Sequence, residues 1–483
     1  MQPVFRHLVL ALVLLTACSP RSLTPATVNS LALEDCALTS PTGDQVDARC
    51  GTLTVPEDRS DSAGRQISVK VAVIPAITRS PEPDALFLLA GGPGQSAIET
   101  FPALLPLLFS IHQERDIVLV DQRGTGESNP LRCLNPEEEL LTDEELLEKL
   151  KACPETLDAD PRFYTTEIAM TDLDEVRAAL GYETINLYGA SYGTRAALTY
   201  LRMFPERVRT LTLDAVVNPE FVIFMEAAED GQAALEAFFT RCESDEACST
   251  TFPGLRSEFE EILSRLEQSP EHITMPNPLT NEPLEVDVTR EMITNMVFNT
   301  LYVPELVATL PLSIHAAYAG ENYVPLISGA FLVNANLYDG MFYAVTCTED
   351  APLISPEEAA QRSEGTVFGD RTLDFVEVCG AWPKGSVSPE FRQPVQSDVP
   401  VLILSGEADP ITPPRHAETV ADDFTSELHL VFSGMGHGNL ASRCTVNLFK
   451  DFIETASIQG LNTDCVEEIQ PPPFFVDFNG PRP

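Results

Sequence analysis

Ser191 lies between two glycines, in Gly189-Ala190-Ser191-Tyr192-Gly193, where a β-prone run (184–188) gives way to an amphipathic helical run (195–204). A strand-to-helix corner that tight has no room for flanking side chains and pushes the serine hydroxyl into the open. A free serine hydroxyl is a poor nucleophile at neutral pH, so it needs a base beside it and donors where an oxyanion would form. Of the seven histidines, only His437 sits in a glycine loop directly after a strand-like run, Gly434-Met435-Gly436-His437-Gly438. His7 falls in an N-terminal leader, His112, His272 and His315 in loop or helical contexts, His416 in a helix and His429 inside a strand. His437 is therefore the candidate base. The stretch Ser405-Gly406-Glu407-Ala408-Asp409-Pro410 follows an apolar strand and offers two carboxylates that could orient an imidazole. Asp409 is favoured because Pro410 and the Thr412-Pro413-Pro414 turn fix the backbone just beyond it, whereas Glu407 reads as a turn cap or a solvent-facing group. The expected oxyanion donors are the N–H of Tyr192 and that of Gly92, since Pro93 in Gly91-Gly92-Pro93-Gly94 has none. Such a set is equipped for acyl transfer to water through an acyl-serine, without a cofactor.

These residues need elements to carry them to one place. Residues 52–55, 66–76, 85–90, 116–120, 184–188, 210–215, 399–404 and 428–432 read as strands, several of them short apolar runs ending in glycine turns. Thr171-Asp172-Leu173-Asp174 reads as a helix start with a cap and an acidic first turn. From about 220 to 397 the period turns helical, over 225–241, 255–268, 289–302 and 306–318, and alternating β runs nearly vanish. Further helices are expected near 414–422 and 445–454. The expected architecture is α/β: a doubly wound, mostly parallel sheet (32–219 and 398–470) with an inserted α-helical cap (220–397), then a Pro-rich tail (471–483) on the surface.

Composition narrows the setting. An apolar fraction of 44% is that of a globular chain. The net charge of −43, with only five lysines among the 30 basic residues, repels nucleic acid and anionic lipid headgroups, and reads as solubility in a salty medium. Arg6 and His7 precede a short apolar run (8–15), an export signal over 1–17 that is too short to span a membrane. Leu15-Thr16-Ala17-Cys18 resembles the lipobox of bacterial lipoproteins, which implies lipidation of Cys18, a tether over 18–31, and attachment in the periplasm or cell envelope at the outer membrane. Membrane contact is expected only through that lipid. The ten remaining cysteines suit an oxidising compartment. Their clustering along the chain suggests Cys36–Cys50, Cys133–Cys153, Cys242–Cys248, Cys347–Cys379 and Cys444–Cys465, although order alone does not fix connectivity. No C-x-x-C or Cys/His cluster supports a metal site.

Gly91-Gly92-Pro93-Gly94-Gln95-Ser96, Asp121-Gln122-Arg123-Gly124-Thr125-Gly126-Glu127-Ser128, residues 189–193 and 406–413, and Gly436-His437-Gly438 together resemble the proline iminopeptidase and tripeptidyl aminopeptidase family of α/β-hydrolases. The resemblance runs from about 50 to 465, more loosely through the cap. It implies an α/β-hydrolase fold and a serine exopeptidase acting on peptide N-termini with Ser191, Asp409 and His437. Ala90 stands where many relatives carry histidine, and Tyr192 where proline iminopeptidases carry tryptophan; both point toward the tripeptidyl branch. An aminopeptidase must hold a protonated amine. Glu349 and Asp350, beside Cys347, resemble a cap segment of that family facing the site, with Glu220 and Glu226 as alternatives. Asp121 and Arg123 read as an ion pair holding the loop under the site. An esterase or lipase on the same three residues is the competing expectation.

Overall fold

Leu86-Phe87-Leu88-Leu89 and Ile117-Val118-Leu119-Val120 contain no polar side chain, and both are strands buried along their whole length. Phe87 and Leu89 enter one hydrophobic cluster while Leu86 and Leu88 enter another, as the two-residue period of a strand requires when both faces are covered. The computed structural model describes residues 31–40, 43, 45–134, 143–277, 281–330, 337–369 and 372–481; the leader and Cys18 lie outside them.

The strands are β1 (Glu34–Thr39), β2 (Gln45–Pro56), β3 (Gln66–Ile74), β4 (Leu86–Leu89), β5 (Ile117–Val120), β6 (Ile185–Ala190), β7 (Val208–Asp214), β8 (Glu271–Pro276), β9 (Pro283–Val288), β10 (Val401–Gly406) and β11 (Glu427–Phe432). Nine form one sheet in the order β1-β2-β3-β5-β4-β6-β7-β10-β11. The steps from β5 to β11 are parallel, and β1, β2 and β3 add an antiparallel edge. Helices Thr166–Leu180 and Tyr192–Met203 cover one face, and helix Arg443–Thr455 the other. The parallel strands direct their C-terminal ends to one rim, where ligands meet open α/β sheets.

The inserted segment departs from the expectation in two ways. β8 and β9 form an antiparallel hairpin within it, with Leu284, Val286 and Val288 buried on alternate positions. Residues 227–327 share an interior of their own, centred on Phe238, Phe259, Ile262 and Val297, whereas Met341, Val345, Phe375, Val378 and Trp382 pack into the cluster on the sheet. The tail also differs, because Phe474 is buried in the interior of the first half, under the Arg241 guanidinium at 3.9 Å. Helix Thr166–Leu180 starts well before Thr171, and Thr165 at its start makes no side-chain cap hydrogen bond. The ten cysteines pair in chain order, as Cys36–Cys50, Cys133–Cys153, Cys242–Cys248, Cys347–Cys379 and Cys444–Cys465. No helix among the described residues is long and apolar enough to cross a membrane.

Candidate active site

Ser191 joins β6 to helix Tyr192–Met203 with φ 56° and ψ −125°, a conformation that non-glycine residues rarely hold and that tends to mark functional corners. A Cβ on Gly189 would stand 2.3 Å from the Gly193 carbonyl oxygen, and one on Gly193 only 2.2 Å from that of Leu89. Both glycines are therefore steric requirements of the corner. Ser191 N–H donates to the Asp214 carbonyl at 2.9 Å, which fixes the corner against β7.

The loops after β10 and β11 bring the other two residues together. A Cβ on Gly406 would fall 2.0 Å from the Gly436 carbonyl oxygen, so the loops touch backbone to backbone. His437 Nδ1–H donates to Asp409 Oδ2 at 2.8 Å. The Asp409 carboxylate also accepts from Ile411 N, Thr412 N and Thr412 Oγ1 at 3.0, 2.9 and 2.7 Å. Burial works against its charge, but His437 and these donors prevail and hold its carboxyl below the ordinary range. For His437, burial disfavours the cation, yet the Asp409 charge and hydrogen bond, with the Asp214 charge behind them, raise its pKa. With Nδ1 engaged, Nε2 is the nitrogen left to take a proton from a nucleophile. Glu407 instead braces the neighbouring turn, where its Oε2 accepts from Ser433 Oγ and Gly434 N at 2.7 and 2.9 Å.

The inserted segment reaches this loop through Tyr302. Its carbonyl accepts the His437 N–H at 2.9 Å, and its ring meets the imidazole edge-on with centroids 5.0 Å apart.

Gly91 lies against Ser191: a Cβ there would be 3.1 Å from Ser191 Cβ. Its N–H is occupied by Gln95 Oε1 at 3.1 Å. Gly92 follows at φ 107°, before a cis bond to Pro93. Among the described residues, neither the Gly92 nor the Tyr192 N–H has an acceptor, and each belongs to the residue next to one of the two that meet here, Gly91 and Ser191. Their loop is clamped by Tyr338 N–H on the Gly94 carbonyl at 2.8 Å.

Asp214 carries almost no mark in the sequence. It is fully buried at the end of β7 and accepts from Tyr188 OH at 2.8 Å and from Asn439 N–H at 2.9 Å on both oxygens. The one signal is an aspartate closing the apolar run that follows the serine corner. Asp121 and Arg123 hold the loop through different partners than each other. Asp121 accepts from Ser96 Oγ at 2.6 Å and Ile98 N at 3.0 Å. Arg123 is paired with Asp172 at 2.7 and 2.9 Å.

Two of the carboxylates expected to meet a substrate amine are buried in the protein's own hydrogen bonds and ion pairs. Asp350 is completely buried, held by Arg195 at 3.0 and 3.1 Å and by Arg392 at 2.8 Å. Glu349 is buried beside it, accepting from Thr166 N and Oγ1 at 2.7 and 2.9 Å. The same Thr166 hydroxyl is 2.7 Å from Tyr192 OH. Asp350 takes both oxygens of its charge to cations and is held below the usual carboxylate range. Glu349, with Arg195 at 3.7 Å, is pushed by burial up to about 7. These two acids thus brace helix Tyr192–Met203 through Arg195 and Thr166, a correction to the expectation that they face substrate. Glu220 is exposed but close enough to Asp423 to raise its pKa, toward the far end of helix Pro414–Ala421 from Asp409. Glu226 is paired with Arg415 at 2.6 Å. It forms, with Asp230 and His416, a cluster with ligand atoms within 4.8 Å of one another, whose charge is met by Arg415.

The model of the alpha/beta hydrolase fold matches residues 84–442. The chain belongs to the α/β-hydrolase fold family. As a member of it, the chain is 34% identical over 192 residues to the tripeptidyl aminopeptidase of Streptomyces coelicolor, an alignment covering 35% of each. It is 24% identical over 438 residues to the serine protease Hip1 of Mycobacterium tuberculosis, covering 81% of each. It is also 27% identical over 455 residues to carboxylesterase B of Mycobacterium tuberculosis, covering 81% of this chain and 80% of the relative. This α/β-hydrolase is thus similar to peptidases and to an esterase alike.

Proposed function

We propose that the protein is a serine exopeptidase that hydrolyses peptides from the N-terminus, of tripeptidyl- or prolyl-aminopeptidase type. The observation that carries the reading is the 2.8 Å His437–Asp409 pair on the loops after β10 and β11, at the same sheet rim as a serine held at φ 56° after β6. In this reading His437 Nε2 takes the Ser191 proton as the hydroxyl oxygen attacks the scissile carbonyl, and the Gly92 and Tyr192 N–H groups receive the oxyanion. Protonated His437 then passes the proton to the leaving amine, and water repeats the sequence to free the acyl product. Each oxyanion donor contributes about 3 kcal/mol to lowering the barrier. Similarity to a tripeptidyl aminopeptidase and a serine protease supports peptides as substrates.

The test is a hydrolysis panel of peptides with free and acetylated N-termini beside short acyl esters. Cleavage of free peptides with loss of the acetylated ones is expected; indifference to acetylation together with rapid ester turnover would replace the reading. That second outcome defines an esterase on the same residues, a reading favoured by the similarity to carboxylesterase B.

Export and lipid attachment at Cys18 belong to the same proposal. Five paired disulfides fit an oxidising compartment. Incorporation of labelled palmitate, lost in Cys18→Ala, is the expected result in a bacterial host.

A further inference from the structure

A cavity of about 430 Å³ lies between helix Ala227–Ser244, the 301–307 turn, the tail at Gln470 and Pro471, and the outer side of the loops that carry Glu407 and Gly436. Neither Ser191, Gly92, Asp409 nor His437 lines it. Its walls are largely apolar, with Phe238, Leu301, Val307 and Pro471 among them, and among the described residues Arg241 is their one cation. The volume falls in the lower part of the range for small-molecule sites, roughly 300–1,000 Å³, which also pair apolar walls with a few polar groups.

Arg241 is unusual in its surroundings. The chain has 73 acidic against 30 basic residues, so a cation without an acidic partner runs against composition. Yet among the described residues Arg241 donates only to the Pro472 carbonyl at 3.2 Å, and it lies over the Phe474 ring. Asp245 acts on it through space, and no carboxylate among the described residues forms an ion pair with it. Burial pushes its pKa down to about 10, the signature of a guanidinium that has lost water without gaining a counter-charge. Glu407, the acid in the lining, is exposed and held by Ser433 and Gly434.

We propose that this cavity binds a small monocarboxylate with an apolar body, Arg241 receiving the carboxylate and the walls of Phe238, Leu301 and Val307 the remainder. A planar guanidinium matches a carboxylate with two parallel hydrogen bonds. Two sources share that chemistry, a medium-chain fatty acid and the C-terminus of a short apolar peptide. The site adjoins Gly436, so occupancy bears on the loop that carries His437.

Calorimetric titration of the whole protein with octanoate and with N-acetyl-leucyl-leucine, each beside its primary amide, tests the site. At least one acid should bind with a Kd between about 10 µM and 1 mM, and its amide at least tenfold more weakly. Binding of octanoate alone assigns a lipid-derived acid, and binding of the dipeptide alone a peptide terminus. Arg241→Gln should weaken the bound acid by about tenfold or more. Should that variant fail to fold, Ala237→Trp, at an exposed position on the cavity wall, should abolish binding with the thermal midpoint retained. Failure of both acids to bind below 1 mM, or binding unchanged in Ala237→Trp, would overturn the assignment.

Discussion

Asp214 holds the backbone N–H of Asn439 between its two carboxylate oxygens, 2.9 Å from each. Its own carbonyl accepts the Ser191 N–H at 2.9 Å. One buried residue thereby ties the backbone of the candidate nucleophile to the loop two positions past the candidate base. Its charge also favours protonated His437.

Asp214→Asn keeps the shape but offers one acceptor oxygen in place of two and removes the charge. We expect kcat/KM to fall by about 10- to 100-fold, the loss a misplaced reacting group brings. His437 must be neutral to accept the serine proton, and its pKa is raised, so the acid limb of the wild-type profile lies above the ordinary histidine value of about 6.5. In the variant that limb moves to lower pH. A pH–rate profile that stays in place would remove Asp214 from the electrostatics of the base.

Ser191→Ala deletes the hydroxyl and leaves the backbone contacts intact. Turnover should drop by about 10⁴- to 10⁶-fold, with labelling by a serine-directed phosphonate abolished. Thermal unfolding should change by no more than a few degrees, and residual turnover near the wild-type rate would exclude Ser191 as nucleophile.

Gly193→Ala places a methyl group 2.2 Å from the Leu89 carbonyl, where only backbone can yield. Gly181→Ala has open space but a φ of 87°. Urea unfolding should show a loss of about 2–3 kcal/mol for the first, with activity lost. The second should lose about 1–2 kcal/mol from backbone conformation alone, with activity retained. Equal stability and equal activity in the two variants would contradict the packing described for the corner.

Glu349 titrates at about 7 in the folded chain against 4.5 for an ordinary glutamate. Between those values the native state keeps a proton that the unfolded state has lost, so this group's contribution to stability falls as pH rises from about 4.5 to 7. Glu349→Gln can still accept from Thr166 and cannot ionise. The difference in Tm between variant and wild type should therefore move in the variant's favour from pH 5 to pH 8. A difference constant with pH would show that Glu349 does not take up a proton on folding.

The residues gathered at the rim carry local marks. Ser191 and His437 stand among glycines, and Asp409 precedes a proline, because each loop must bring backbones within contact distance. The parallel strands are legible because burial on both faces demands apolar runs, as in β4 and β5. What stays hidden depends on distant partners. Asp214 acquires its role from Asn439, 225 positions on, and Asp350 its burial from Arg195, 155 positions away. Nearness along the chain pairs Arg123 with Asp121, whereas the helix beginning at Thr166 delivers Asp172 instead. The hairpin of β8 and β9 does carry a signal, the alternation of Leu284, Val286 and Val288, but it is short and set among prolines and acids.

The division of the inserted segment between two interiors has a mechanical consequence. The half containing Met341 and the Cys347–Cys379 bridge shares its packing with the sheet, and so is part of the chassis on which Ser191 stands. The bundle spanning 227–327 keeps its own apolar centre and touches the imidazole loop through Tyr302. Drift in that bundle can reshape what the enzyme admits while the chassis stays put, so diversification of substrate preference has a physically separate place to happen.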